Sequence, residues 1–175
     1  MRKTAVLALL VSVVIAVATL SPSPAAAESG SRTLKRGNAP AAIDLVRMRV
    51  DNGPRMVRFT LHVRDLGRRG HFSMLWHEAR ANERGFAVGV ARRPGGGLRT
   101  TYHWWNRNDH EVSCPGAVIR WEAGRDRLLA RVPQRCFPRE IPRRWVFSAQ
   151  SGGMFGGTFK IDYLRPSRHL TLRRG

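Results

Sequence analysis

This sequence is poor in acid, in lysine and in cysteine. Twelve Asp and Glu stand against 31 Lys and Arg, only three of those bases are lysines, and two cysteines occur in 175 residues. In so basic a chain a carboxylate is expected to be paired with an arginine. From residue 28 on, no window of a dozen residues carries apolar positions at i, i+3, i+4 and i+7, so no substantial helix is expected there. No segment repeats at a fixed period, which disfavours propellers and solenoids. Only the run at 4–20 is long and apolar, so a multi-pass membrane protein is excluded. Apolar and aromatic residues are spread along the remainder, which excludes bulk disorder. The length suits one domain with a real core.

Chemical motifs are missing too. There is no Gly-x-Ser-x-Gly nucleophile elbow. The glycines at 152–157 are neither followed by the lysine of a phosphate-binding loop nor placed to open a helix. His77 and Glu78 begin like a zinc-protease helix, but Ala81 stands where the second histidine belongs. His62, His71, His77, His103 and His110 fit no ligand spacing and read as polar-face residues of separate strands, although His71 and His77, six apart, would share a face. No catalytic residue, metal site or cofactor is assigned from these patterns. A glycosidase pair drawn from Glu78, Glu83, Asp109, Glu111 and Glu122 needs carboxylates about 5–10 Å apart, which a sequence does not measure.

What is present begins at the amino end. Arg2 and Lys3 precede the uncharged stretch 4–20, Pro22 and Pro24 break it, and Ala25, Ala26 and Ala27 offer a signal-peptidase site. Residues 1–27 therefore read as a signal peptide of the general secretory route, since the n-region has no Arg-Arg pair. The product is expected to be secreted, with no integral membrane segment after cleavage. The net charge then falls from +19 to +17, because Arg2 and Lys3 are the only charges of that segment. Two cysteines in an oxidising space read as one disulfide, Cys114–Cys136, closing a loop of about 23 residues.

Residues 28–41 are polar, rich in Gly, Ser and Pro and aperiodic, and read as a flexible leader to a domain at 42–175. From residue 43 the chain alternates. Val57, Phe59, Leu61 and Val63 mark one face of the clearest strand, with Arg58, Thr60, His62 and Arg64 on the other. Further strands are expected at 43–50, 71–77, 86–91, 98–105, 117–121, 128–132 and 145–149, with one more at 158–164. A single helical turn is allowed near 134–140, and 151–157 reads as flexible. About eight short strands punctuated by turns predict an all-β fold, a single antiparallel β-sandwich.

Two features point to binding. Trp104 and Trp105 are neighbours on one strand, so one enters the core while the other stays accessible. Beside Tyr102 and His103, an exposed indole can stack on a sugar ring or a base, unless a loop or Arg107 covers it. Trp76, Trp121 and Trp145 sit among apolar neighbours and read as core. The positive charge attracts polyanions, and loop arginines such as Arg68, Arg92 and Arg143 are candidate contacts. They form no stripe or recognition helix, and export argues against an intracellular nucleic-acid role.

Several short patterns carry a resemblance. Ile43-Asp44 opens a strand, Val50-Asp51-Asn52-Gly53 ends one, and Val63-Arg64-Asp65-Leu66 follows. Cys114-Pro-Gly, Val132-Pro-Gln-Arg-Cys136 and Trp145 complete the set. Over about 42–150 the chain resembles exported β-sandwich proteins of high-GC Gram-positive bacteria, and more loosely it is similar to jelly-roll carbohydrate-binding modules. These motifs are turns, strand ends and a cysteine pair, so the resemblance implies fold and export and carries no activity. The expected function is non-enzymatic binding of anionic or carbohydrate polymers at the cell envelope. The alternative is a secreted hydrolase of cell-wall polysaccharide.

Overall fold

The computed structural model describes residues 28–34, 39–78, 84–93, 95–105, 109–137, 144–164 and 171–173. The expected signal peptide, Glu83, Arg107 and Arg143 lie outside these residues. The alternation at 57–64 becomes a strand at Met56–Val63, with Val57, Phe59, Leu61 and Val63 buried on one face. Among the described residues there are twelve strands: β1 (Glu28–Thr33), β2 (Leu45–Asn52), β3 (Met56–Val63), β4 (His71–Glu78), β5 (Gly85–Arg92) and β6 (Leu98–Trp105), then β7 (Asp109–Glu111), β8 (Val118–Glu122), β9 (Arg127–Pro133), β10 (Arg144–Phe155), β11 (Thr158–Leu164) and β12 (Thr171–Arg173). The only helical elements among the described residues are three short 3-10 turns, at Ala41–Ile43, Ala123–Arg125 and Gln134–Cys136.

Two antiparallel sheets pack face to face. One has the order β1-β2-β3-β9-β8, and the other β11-β10-β4-β5-β6-β7, with β12 also paired to β10. β3 and β9 are neighbours in the first sheet, while β4 and β10, the strands that follow them, are neighbours in the second. The sandwich is therefore held at its centre by two interlocked crossings. Trp76 of β4 sits at the middle of the core, with the rings of Phe59, Phe86, Phe137 and Phe147 at centroid distances of 4.4–6.0 Å. Trp145 is buried as expected, while Trp121 is half-buried, edge-on to Phe72, and donates its indole N–H to the Gly67 carbonyl. The disulfide Cys114–Cys136 is formed, with Cα atoms 5.3 Å apart, and it ties together the outer ends of the β8–β9 hairpin. No helix among the described residues is long and apolar enough to cross a membrane.

The structure corrects the sequence reading in three places. Twelve strands form rather than eight. Residues 28–33, expected in a flexible leader, make β1, paired with β2 from Glu28↔Asn52 to Thr33↔Arg47. That strand has no apolar side chain of its own, so its order comes from the edge of β2 and not from local pattern. The segment 151–157, expected to be flexible, instead carries β10 on to Phe155 and turns at Gly156 and Gly157, both at positive φ (56° and 77°). Two such glycines make the two-residue turn that matches strand twist, so these glycines join a hairpin. The short strands β7 and β12 carry too few residues to show a period.

Candidate functional site

β5 is small on its outward face. Phe86, Val88 and Val90 point into the core, which leaves Gly85, Ala87, Gly89 and Ala91 to face away from it. Register then sets two walls beside this floor. On β6, Trp105, His103, Thr101 and Arg99 stand opposite Gly85, Ala87, Gly89 and Ala91. On β4, His77, Leu75, Ser73 and His71 do the same from the other side. Taller residues flanking a row of glycine and alanine leave a trough along β5, a cavity of about 380 Å³ reaching from His71 to Trp105 and Asp109.

The side chains lean into it. A Cβ on Gly89 would lie 2.6 Å from Thr101 Oγ1 and 3.5 Å from His71 Nε2, so a hydroxyl and an imidazole converge above the glycine from opposite walls. The Trp105 ring lies across Gly85 at the far end. There the short strand β7 adds Asp109, whose Oδ1 is 3.5 Å from His103 Nδ1. Burial lowers the pKa of His71 and of His77, the latter partly offset by a hydrogen bond with the Glu78 carbonyl. A neutral His71 ring has one donor and one acceptor nitrogen, which suits recognition of hydroxyl groups.

The four ring-bearing positions expected to act together are split by the strand. His103 and Trp105 face the trough. Trp104 is buried, and Tyr102 turns to the same inner side, its ring stacked 6.4 Å from Phe86 and its phenol pKa raised by burial. The pair Trp104/Trp105 thus divides as strand geometry requires, with Trp105 outward. Arg68 is exposed between β3 and β4, and Arg92 is half-buried at the end of β5. The arginine at the trough is Arg99, which the sequence reading passed over together with Thr101. One signal for the trough was in the sequence, the alternation Gly85, Ala87, Gly89, Ala91 on a single strand face.

Some carboxylates elsewhere are engaged by arginine. Asp44 is buried and paired with Arg64, Glu122 lies 2.5 Å from Arg127 Nε, and Asp51 lies 3.1 Å from Arg49. The hydrogen bond from Arg127 is the main cause of the lowered Glu122 pKa. Among the described residues no three of His, Cys, Asp and Glu gather as metal ligands. Set against known protein families and curated proteins, the chain matches none.

Proposed function

We propose that this protein is a secreted, non-enzymatic binder of carbohydrate polymer at the cell envelope, and that the trough along β5 is its binding surface. The observation that carries the reading is the combination of a floor of glycine and alanine and walls bearing an indole, a hydroxyl and an imidazole. A sugar ring can approach the floor closely, stack on Trp105 and exchange hydrogen bonds with Thr101 and His71. The net charge of +17 left after loss of residues 1–27 adds a long-range attraction that holds the protein near anionic envelope polymers.

The test is a binding titration of the purified protein against neutral and anionic wall polysaccharides at two salt concentrations. Trp105→Ala should weaken neutral glycans by about tenfold or more, the worth of one stacked ring. Arg68→Ala and Arg92→Ala should each weaken anionic polymers modestly and leave neutral ones unchanged. Affinity for the anionic polymers alone should fall steeply between about 50 and 200 mM salt. Neutral-glycan binding indifferent to Trp105→Ala would exclude the trough as the binding surface.

The hydrolase alternative needs two carboxylates facing one bond. Asp109 is the one carboxylate among the described lining residues of the trough. New reducing ends released from a wall polysaccharide would favour the hydrolase, and intact recovery of the polymer the binder.

A further inference from the structure

The far edge of the same sheet carries a second surface. β11 is paired with β10 alone among the described residues. Its outward face shows Phe159, Ile161 and Tyr163, exposed by 58, 47 and 51 %, with Met154 of β10 beside them at 64 %. Four large apolar side chains in one exposed stripe exceed what scattered surface hydrophobics explain.

The register shows what fits. The turn at Gly156 and Gly157 closes on the pair Phe155↔Thr158, so the even-numbered residues of β11 bond to β10. The N–H and C=O groups of Phe159, Ile161 and Tyr163 then point away from the sheet. The Tyr163 N–H is held at that edge by the side chain of Asp162, a bond that pairing with a further strand must displace.

We propose that β11 pairs antiparallel with β11 of a second copy of this chain, about a two-fold axis through Ile161. In that register Phe159 lies opposite Tyr163 of the other copy, and Ile161 lies opposite Ile161. Lys160 lies opposite Asp162, twice by symmetry. Aromatic pairs and opposite charges are the cross-strand combinations that stabilise a sheet, and the charged pairs fall at the positions without backbone bonds, where side chains come closest. Moving the axis by one residue sets Lys160 against Lys160 or Asp162 against Asp162, so charge disfavours the two adjacent registers. A lone edge lysine often serves to prevent strand pairing, but here its partner lies two residues on in the same strand. The product is a continuous sheet with the outward faces of both copies on one side. A single strand pair is a small interface, so the dimer belongs in the micromolar range.

Sedimentation equilibrium of the purified protein over micromolar concentrations tests this. The wild type should pass from monomer to dimer as concentration rises. Lys160→Asp should weaken self-association about tenfold or more, and so should Asp162→Lys. An equimolar mixture of these two variants should associate again, because each then meets its opposite charge. Asp162 also accepts the Leu45 N–H at 2.7 Å, so the second variant could lose its fold. In that event Ile161→Lys, an exposed site that puts like charges across the axis, carries the test and should yield a monomer with unchanged circular dichroism. A wild type that stays monomeric throughout, including one that instead binds lipid vesicles through this stripe, overturns the proposal. So does a dimer indifferent to both Lys160→Asp and Ile161→Lys.

Discussion

The indole of Trp105 lies over Gly85, its Cζ2 only 2.1 Å from the point where a Cβ on that glycine would sit. The ring position is therefore set by a missing side chain on the neighbouring strand. The same point is 2.4 Å from the Trp76 carbonyl oxygen, a backbone atom that cannot swing aside.

Gly85→Ala should accordingly be severe. It forces the ring and a backbone carbonyl of the central strand apart, an overpacking that costs about 1–3 kcal/mol or more. Gly89→Ala meets the Thr101 hydroxyl, at the end of a side chain, and should cost less while still filling the trough. Denaturation midpoints should separate the two variants, and both should lose glycan affinity. A folded Gly89→Ala that binds normally would count against the trough.

Reducing the disulfide, or replacing Cys114 and Cys136 by serine, should cost about 3 kcal/mol from the entropy of the released loop. The loss should appear as a lower thermal midpoint. It should leave affinity at low temperature nearly unchanged, because the bridge ties the β8–β9 hairpin and not the strands of the trough.

Acid should weaken the fold through its histidines. Burial holds His71 and His77 below the ordinary value of 6.5, and burial followed by Arg47 and Arg127 does the same to His62. As pH falls through 6.5 the unfolded chain takes up protons that the folded chain refuses. Stability is thus full above about pH 6.5 and declines below it until the folded-state rings titrate. Thermal midpoints measured down to about pH 5 should show the decline, and His77→Gln should flatten part of it.

Much of the sandwich could be read from residue order, because a period of two survives wherever one face is buried. The strand of Val57, Phe59, Leu61 and Val63 needs no partner to be seen. β1 does, since Glu28, Ser29, Gly30 and Ser31 carry no pattern and are ordered by pairing with β2. Gly152 and Gly153 look like a hinge until both are seen paired to β11, and Gly152 to β4 as well. The site was half legible. Strand alternation is enough to separate Trp104 from Trp105, but it also sends Tyr102 inward, away from His103. The opposite wall of the trough comes from β4, and only register across β5 places His71 above Gly89.

The interlocked crossings also set the order in which the molecule can assemble. The inner edge of β3 is satisfied only by β9, and that of β4 only by β10, so Met56 waits for Pro133 and Glu78 for Trp145. A growing chain can close the β1–β2–β3 meander early, but neither sheet is complete until the last third has been made. Contacts this distant in sequence make for slow folding, with open strand edges in the interval. A chain stopped before β10 would keep the whole β4–β7 ribbon that bears the trough, yet leave β4, a central strand of the finished sheet, as a bare edge exposed to aggregation.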